Sequence, residues 1–306
     1  MERKVIVILG PTASGKTKVS ISLAEKLASE IISSDSRQVY RYLTIGTAKP
    51  SESELNEVKH HFIGTLNPDE DFNVSKFEED ALQIIQKLHN ENKIPVVAGG
   101  SGLYVKALVE GIFNTAETDE ELRLELKSRL DSSGRESLYE ELRKLDPRAA
   151  ATMLPQNWKR VMRALEVFHL TGRSILDLHE EYERQLDVDF LRFGLNWNRD
   201  ILYRNIEARV DNMIESGLAD EVRSILDMGY SPSLNSLNTV GYKEIIMYLS
   251  GDIPLERAVE LIKRNTRRYA KRQMTWFRRD SGIHWFDIAS NEDLLSVPDK
   301  ILRFLQ

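Results

Sequence analysis

The stretch that decides the fold is Gly10-Pro11-Thr12-Ala13-Ser14-Gly15-Lys16-Thr17. It fits G-x-x-x-x-G-K-[ST], the pattern of a phosphate-binding P-loop. Residues 5–9, just before it, form a continuous apolar run that is typical of a buried parallel strand. After it, apolar side chains recur at helical spacing in Val19, Leu23, Ala24 and Leu27. The order strand, glycine loop, helix predicts a P-loop α/β domain.

The loop has the groups needed to bind a di- or triphosphate. Its glycines let backbone N–H groups turn inward around phosphate oxygens, and the following helix directs the positive end of its dipole to the same place. Lys16 adds a point charge, and the hydroxyl of Thr17 can bind Mg²⁺. The sequence therefore predicts a phosphate site with Mg²⁺ as cofactor, although the pattern alone does not identify the ligand as ATP.

The composition is that of a globular protein. The chain has 306 residues, of which 41% are hydrophobic and 29% charged, and it has no cysteine. The lack of cysteine excludes disulfides, thiolate zinc sites and cysteine nucleophiles and favours a cytoplasmic location. No apolar run approaches membrane-spanning length, so we expect no membrane partner. Because the net charge is −6, a nucleic-acid partner would need a local basic surface.

The pattern along the chain predicts two domains. Further strands are predicted at residues 30–34, 93–98, 188–196 and 282–286. From about Thr115 the chain becomes helical and rich in charge, with no strand pattern until residue 188. We therefore expect residues 1–114 and 188–306 to form a nucleotide-kinase-like core, with a parallel sheet flanked by helices. Residues 115–187 are expected to form an all-helical insertion domain.

Asp35 is the best candidate for a catalytic group. It follows the strand at residues 30–34, and ligands of open α/β sheets bind at the carboxyl ends of strands. A carboxylate there can accept a proton from a nucleophile, although Asp35 could instead cap the next helix. A P-loop NTPase usually has an Asp at the end of another strand, but the strand at residues 93–98 ends in Gly99-Gly100. The case for nucleotide hydrolysis is therefore weak.

Two other polar positions are less specific. Ser101 offers a hydroxyl in a second glycine-rich loop, where a ligand can approach closely, but a serine there could equally be a turn or N-cap residue. The pair His60-His61 suggests a metal site, yet no carboxylate lies at ligand spacing around it. A structural or surface role is the favoured interpretation of the histidine pair.

A basic segment with aromatic residues lies in the predicted helix of residues 254–279. Between residues 263 and 279 it has eight basic and no acidic side chains, namely Lys263, Arg264, Arg267, Arg268, Lys271, Arg272, Arg278 and Arg279. Residues 264, 268, 271 and 272 share one helical face, which residues 263, 267 and 278 extend. With Tyr269, Trp276 and Phe277 interleaved, this pattern suits an RNA backbone with an unstacked base. A solvated charged helix is the alternative, but it would mix signs.

A second basic cluster, Trp158-Lys159-Arg160-Val161-Met162-Arg163, lies in the predicted insertion. Two such clusters could bind one extended polyanion while the whole protein stays acidic.

Taken together, the motifs resemble one known family. The order GPTASGKT, DSRQVYRYLTIGTAKP, AGGSGLYVKAL, WKRVMRALEV, VGYKE and RRYAKRQMTWFR is similar to that of the bacterial tRNA dimethylallyltransferases, from Gly10 to about Trp285. The resemblance implies transfer of the dimethylallyl group of dimethylallyl diphosphate to N6 of adenine 37 in tRNA, beside the anticodon, with release of diphosphate. The P-loop would then bind the diphosphate leaving group. This explains why the chain lacks the Walker-B Asp, the residue that P-loop NTPases usually have at the end of another strand.

The resemblance also implies roles for individual residues. Asp35 would contact N6 and take its proton, and Ser101 would lie near the reacting centre, where the family usually has Thr. Arg209 would contact the diphosphate, whereas spacing alone indicates a solvent-facing helix residue. Lys16, with Mg²⁺ bound partly by Thr17, would neutralise the charge that develops as the C–O bond breaks.

By the same resemblance, the tRNA anticodon stem-loop is the partner, and its target base would be flipped into a channel between the domains. The implied tRNA contacts are Asp35, Ser36, Arg37, Gln38, Ser101, Arg123, Lys159, Arg160, Val161, Met162, Arg163, Arg272, Trp276 and Arg278. Family members commonly have an apolar residue where this chain has Arg37, which could add a phosphate contact or point to solvent. Nothing in the sequence demands an oligomer, and we expect a monomer.

Other functions make different demands on the sequence. A small-molecule or nucleotide kinase shares the P-loop, but it explains neither the basic clusters nor the missing Walker-B Asp. An adenylate dimethylallyltransferase would not need the cluster at residues 159–163. A non-enzymatic RNA-binding module would not need the P-loop.

Overall fold

The computed structural model describes residues 3–111, 119–182, 184 and 186–305. The chain divides into two compact units, the first of Met1–Val109 with Asp187–Gln306 and the second of Glu110–Leu186. We call them the core unit and the helical unit. The predicted start of the insertion, Thr115, lies outside the described residues.

The core unit is built on a six-stranded parallel sheet. Its strands are β1 (Lys4–Leu9), β2 (Ile31–Ser33), β3 (His60–His61), β4 (Val96–Gly99), β5 (Asp189–Trp197) and β6 (Ile283–Ile288). They lie in the order β3-β2-β4-β1-β5-β6, and every neighbouring pair is parallel. This confirms the predicted α/β class. The very short edge strand β3 was not predicted.

The helices follow in chain order. They are α1 (Lys16–Lys26), α2 (Glu52–Glu57), α3 (Val74–Asn90), α4 (Gly102–Glu110), α5 (Glu120–Leu145), α6 (Pro147–Ala150), α7 (Trp158–Thr171), α8 (Ile175–Glu181), α9 (Arg199–Glu215), α10 (Leu218–Asp227), α11 (Tyr242–Leu249), α12 (Leu255–Phe277) and α13 (Asn291–Arg303). Residues Pro155–Asn157 form a single 3₁₀ turn. Within the described residues, no helix combines the length and the apolar character that a membrane span requires.

The central strand β1 explains the layered core. All five residues of its apolar run, Val5 to Leu9, are fully buried, because helices cover both faces of the sheet. Ile6 and Ile8 pack with residues of α1 and α13, whereas Val5, Val7 and Leu9 pack with residues of α3 and α4. The alternation follows from the two-residue period of a strand.

The sheet register brings three loops to one edge. Leu9 of β1 lies opposite Gly99 of β4, and Ser33 of β2 lies opposite Ala98 of β4. The P-loop, the turn that contains Asp35 and the second glycine loop therefore leave adjacent strands at nearly the same level. Parallel α/β sheets place their ligand sites at this edge.

The last helix, α13, gives a structural role to the segment after Trp285, for which the sequence offered none. Leu294, Val297 and Ile301 of α13 are buried in the same apolar cluster as α1. A Cβ atom on Gly15 would lie only 2.4 Å from Leu294, and Gly15 itself has a left-handed backbone (φ 85°). Helix α13 therefore packs against the base of the P-loop.

The helical unit has its own small core. Leu126, Leu138 and Leu142 of α5 pack against Val161 and Leu165 of α7, all fully buried. Helix α5 is kinked at Gly134, whose φ of 78° interrupts the helix. The described residues of this unit contain no strand.

Candidate active site

The P-loop surrounds the amino group of Lys16. Nζ of Lys16 donates to the carbonyl oxygens of Gly10 (2.9 Å) and Pro11 (2.7 Å). Trp197 at the end of β5 fixes the same loop by donating its Nε1–H to the carbonyl of Ser14 (2.9 Å). Burial, and secondarily the charge of Arg209, lowers the pKa of Lys16 to about 7, while Asp35 opposes that shift. A bound anion would therefore stabilise the charged form of Lys16.

A cavity of about 310 Å³ opens in front of the loop. Every residue from Thr12 to Thr17 lines it, together with Asp35 and Arg209. Gly10 and Pro11 contribute through their carbonyl oxygens, which accept hydrogen bonds from Lys16. The predicted phosphate-binding stretch and the predicted acid–base residue therefore meet in one cavity.

Asp35 both caps a turn and lines the cavity. Its Oδ1 accepts hydrogen bonds from the backbone N–H groups of Arg37 (2.8 Å) and Gln38 (3.3 Å), so it caps a turn. It also lines the cavity. Both amides meet the same oxygen, so among the described residues Oδ2 is the oxygen open to a substrate proton.

Ser101 acts on the same turn. Its Oγ accepts a hydrogen bond from the backbone N–H of Ser36 (3.0 Å) and donates to Oγ of Ser36 (3.4 Å). The hydroxyl thus ties the second glycine loop to the turn that contains Asp35. The expected place of Ser101 near the reacting centre stays a prediction.

Arg209 on α9 is half-buried and lines the cavity beside Lys16. Burial lowers its pKa, and the nearby Asp35 partly offsets this effect. The interpretation from spacing alone, a solvent-facing helix residue, is wrong, because the face of α9 that carries Arg209 is turned toward the P-loop cavity. Lys16, Arg209 and Asp35 therefore share one cavity, whose wall also includes Lys18, Lys49 and Glu54.

A second cavity, of about 330 Å³, adjoins the first. Residues that line both cavities are Thr12, Asp35, Thr47, Arg209 and Tyr269. The second cavity also has Ser36, Arg37, Lys243 and Arg272 in its wall. Burial, followed by the charge of Asp35, raises the pKa of Tyr269, which keeps its phenol protonated at neutral pH. The two cavities thus meet at Asp35.

Arg37 and Gln38 are held by backbone carbonyls. Nη1 of Arg37 donates to the carbonyl of Asn235 (2.7 Å), so Arg37 does not simply point to solvent. Nε2 of Gln38 donates to the carbonyls of Thr47 (3.3 Å) and Ala48 (3.1 Å). Both side chains fix the loops around the cavities.

Two residues that the sequence did not identify organise these loops. Gln273 of α12 is 6% exposed, accepts a hydrogen bond from the backbone N–H of Thr12 and donates to the carbonyl of Gly100, both at 2.9 Å. Glu221 of α10 accepts from the N–H groups of residues 44, 45 and 46 and from the hydroxyl of Tyr242. The loop backbones that they bind are more than 170 residues away, so no local pattern could have revealed these contacts.

Helix α12 is less uniformly basic than its sequence suggested. Lys263 pairs with Asp211 (2.6 Å) and Arg267 pairs with Glu207 (2.6 Å), and both acids belong to α9. These two cations therefore turn toward α9 and do not extend the exposed basic face. Between residues 263 and 279, the exposed basic residues are Arg264, Arg268, Lys271, Arg272, Arg278 and Arg279.

The aromatic residues of this segment also differ among themselves. Phe277 is 3% exposed and belongs to the core, so it cannot stack on a base from this position. Trp276 is 42% exposed and lies against Gly102, where a Cβ atom would be 2.4 Å from the indole. The guanidinium of Arg272 lies over the ring of Tyr269, 5.8 Å from its centroid.

In the helical unit, the predicted tRNA-contacting stretch splits into two faces. Val161 and Met162 are 0% and 7% exposed, because they form part of the core between α5 and α7. Because Val161 and Met162 are buried, the side chains of this stretch that can reach an RNA are those of Lys159, Arg160 and Arg163, and the tRNA contact of the stretch stays a prediction. Lys159 and Arg160 are exposed, and Nζ of Lys159 lies 5.4 Å from the ring centroid of Trp158.

A buried carboxylate holds two of the other predicted tRNA contacts. Glu166 is 3% exposed and pairs with Arg123 (2.8 Å) and Arg163 (3.1 Å). The two guanidinium groups are thereby fixed on one patch of the helical unit.

The histidine pair has structural partners. Nε2 of His61 lies 2.6 Å from Oε2 of Glu30, and Nδ1 of His60 lies 2.8 Å from the carbonyl of Val58. Within the described parts of the chain, no group of three or more His, Cys, Asp or Glu side chains is arranged to hold a metal ion.

Comparisons with known proteins identify relatives that match nearly the whole chain. A family model described as IPP transferase matches residues 38–280. A tRNA dimethylallyltransferase of Alkaliphilus oremlandii is 44% identical over 304 residues, which cover 99% of this chain and 97% of the relative. Another, of Pelotomaculum thermopropionicum, is 45% identical and covers 98% of this chain and 95% of the relative.

Solved structures match over nearly the whole chain. The full-length tRNA isopentenylpyrophosphate transferase from Bacillus halodurans has a TM-score of 0.72 at 40% identity and covers 98% of this chain and 96% of its own. A eukaryotic dimethylallyltransferase acting on tRNA has a TM-score of 0.84 at 28% identity and covers 98% and 79%. These matches confirm the resemblance inferred from the sequence motifs. The chain belongs to the IPP transferase family, together with these tRNA dimethylallyltransferases.

Proposed function

We propose that this protein transfers the dimethylallyl group of dimethylallyl diphosphate to N6 of adenine 37 in tRNA, releasing diphosphate. One observation carries the proposal: Lys16, Arg209 and Asp35 line a single cavity with the P-loop. A leaving-group site and a proton acceptor therefore face each other. The relatives named above support the same reaction, because they are tRNA dimethylallyltransferases.

The reaction is a displacement at the first carbon of the dimethylallyl group. A new bond forms from N6 of adenine to that carbon while the bond from carbon to the diphosphate oxygen breaks. The charge that develops on the leaving group is stabilised by Lys16, Arg209 and the P-loop amides. Asp35 takes the proton that N6 loses, through the oxygen that does not cap the turn.

The residues present fit Mg²⁺ as cofactor. Thr17 lines the same cavity as Lys16 and Asp35 and carries a hydroxyl, and hydroxyl and phosphate oxygens are the hard ligands that Mg²⁺ prefers. Because Mg²⁺ keeps several waters and uses few protein ligands, a single hydroxyl with the diphosphate oxygens suffices. When bound, the ion would add positive charge beside the leaving group.

The second cavity suits the acceptor base. It adjoins the first at Asp35 and Tyr269 and has Arg37, Lys243 and Arg272 in its wall. There, a base flipped out of the anticodon loop would place its N6 within reach of Asp35. Flipping a base out of a loop costs less free energy than flipping it out of a duplex. The exposed cations of α12, with Lys159, Arg160 and the partly exposed Arg163, would contact the RNA backbone. We propose that the enzyme acts as a cytoplasmic monomer.

A transfer assay tests the reaction. Purified protein, Mg²⁺ and radiolabelled dimethylallyl diphosphate are incubated with an unmodified tRNA that has adenines at positions 36 and 37, or with AMP. The expected result is label in the tRNA alone, and none when adenine 37 is replaced by guanine. Label in AMP would indicate an adenylate dimethylallyltransferase. Turnover of ATP on a small acceptor, with no label in tRNA, would support a kinase instead.

A further inference from the structure

Gln273 connects two loops that the proposed reaction must keep aligned. We propose that Gln273 is a positioning residue, which fixes the distance between the leaving-group loop and the proton acceptor Asp35. This inference rests on the proposed function, because it assigns to Gln273 a part in that reaction. Gln273 lines the first cavity, but its Oε1 and Nε2 both bond to loop backbone, so the part assigned to it is to align the two loops.

Both polar atoms of the Gln273 carboxamide form hydrogen bonds. Its Oε1 accepts from the N–H of Thr12 in the P-loop, and its Nε2 donates to the carbonyl of Gly100 in the second glycine loop. A Cβ atom on Gly100 would lie 2.2 Å from Nε2, so the glycine is needed for this close approach. Glutamate would lack the donor, and asparagine would be one methylene too short to reach both partners.

The topology of the sheet explains why such a link is needed. The P-loop follows β1 and the turn with Asp35 follows β2, but β4 lies between these two strands. Strands in a sheet are about 4.8 Å apart, so the two loops start about 10 Å from each other. In the strand order, the loop after β4 therefore lies between the two loops and can connect them.

A second side chain completes that bridge. Ser101, next to Gly100, accepts from the N–H of Ser36, which is next to Asp35. The hydrogen bonds thus run from Thr12 through Gln273 to Gly100, and from Ser101 to Ser36 and Asp35. The two links act in series, because both pass through the same short loop.

Alignment matters for this reaction because the nucleophile and the leaving group must lie on opposite sides of one carbon. A misplacement of about 1 Å can lower the rate of such a step about 100-fold. Loss of the link should leave each binding site intact while it changes the distance between them. The expected signature is a lower kcat with little change in binding.

The first test replaces Gln273 by methionine, which has a similar volume but neither hydrogen-bonding group. For Gln273→Met we expect kcat to fall about 10- to 100-fold, with the KM for dimethylallyl diphosphate and the Kd for tRNA within about threefold of wild type. Gln86→Met, at an exposed position on α3, is the matched control and should retain the wild-type kcat. Gln273→Asn, which preserves the polarity and can reach one partner, should also lower kcat.

The second test is a double-mutant cycle with Ser101→Ala. If the two links act in series, the double variant should lose no more than about threefold beyond the slower single variant. A loss equal to the product of the two single losses would overturn the proposal, since it would show independent effects. A rise in KM or Kd as large as the loss in kcat would also overturn it, because Gln273 would then serve binding.

The assay separates this inference from the proposed function. If the wild-type protein transfers label to tRNA and Gln273→Met does so at the same kcat, the positioning role is wrong and the function stands. If the wild-type protein itself labels no tRNA, the proposed function is wrong and the positioning role falls with it.

Discussion

The two units of the chain use polar side chains in different ways. In the core unit, Gln273, Ser101 and Trp197 are directed at backbone groups of loops that lie far away in sequence. In the helical unit, many of the contacts are ion pairs between exposed side chains, such as Arg148 with Asp177 and Glu180.

This difference indicates what each unit can control. A hydrogen bond from a buried side chain to a loop backbone fixes the loop, and its loss leaves a buried group without a partner, which costs about 1–3 kcal/mol. An exposed ion pair contributes about 0–1 kcal/mol and is screened by salt. We therefore expect substitutions of the buried polar side chains of the core unit to change the reaction rate. Substitutions of exposed cations, in either unit, are expected to change the affinity for RNA.

The largest expected effect is at Asp35. Asp35→Asn separates its two roles, because the carboxamide oxygen can still accept from the amides of Arg37 and Gln38 but cannot take a proton. We expect kcat to fall about 10³-fold, with the Kd for tRNA within about threefold, and Asp35→Ala to lose at least as much. A variant Asp35→Asn with near-normal kcat would show that Asp35 is only a capping residue.

Lys16 comes next, because it acts on the charge of the leaving group. Lys16→Ala should weaken binding of dimethylallyl diphosphate about 10- to 100-fold, as expected for loss of a charge-assisted hydrogen bond. Lys16→Arg preserves the charge and is the matched comparison. Unchanged diphosphate affinity in Lys16→Ala, measured by calorimetry, would contradict the assignment of the phosphate site.

The pKa of Lys16 predicts a dependence on pH. Since burial lowers it to about 7, the free amine is mostly neutral at pH 8 and mostly charged at pH 6. A bound anion favours the charged form, so binding should take up a proton at pH 8 and the affinity should fall as the pH rises through about 7. Calorimetry in buffers of different ionisation enthalpy measures this uptake, and Lys16→Arg corrects for protons of the ligand itself. Equal uptake in both proteins would contradict the prediction.

A smaller effect compares neighbouring cations on α12. Arg268 is exposed, whereas Arg267 is paired with Glu207. Arg268→Gln should lower the slope of log K against log salt for tRNA binding by about 0.7–0.9, the value of one lost phosphate contact. Arg267→Gln should change the slope by less than half as much. Equal changes in slope for the two variants would show that Arg267 contacts RNA despite its ion pair with Glu207.

The smallest expected effect on tRNA binding is at Glu166 in the helical unit. Glu166→Gln removes the buried charge that holds Arg123 and Arg163. Because both arginines are partly exposed, the free energy of unfolding should fall by only about 1–2 kcal/mol. The Kd for tRNA should stay the same or decrease up to about threefold, since the negative charge beside Arg123 and Arg163 is removed. A marked loss of affinity would show that Glu166 is needed to present the arginines.

The sequence predicted the parts of the site that lie within short motifs. Strand β1, the P-loop and Asp35 at the end of β2 were predicted because residue type and spacing act locally there. Gln273 and Glu221 were missed because their partners are loop backbones more than 170 residues away. The neutralisation of Lys263 and Arg267 was missed for the same reason, because the acids belong to α9. Local patterns report which groups are available, and only the tertiary structure decides which of them are already paired.

The contact between Thr12 and Gln273 has a consequence for how the protein is made. The ribosome completes Gln273 261 residues after Thr12, which at about 5–20 residues per second is a delay of roughly 13–52 s. Leu294, which packs under Gly15, emerges later still. The P-loop therefore acquires these contacts only after residues 273 and 294 have been synthesised, and a nascent chain that ends before them lacks this native support.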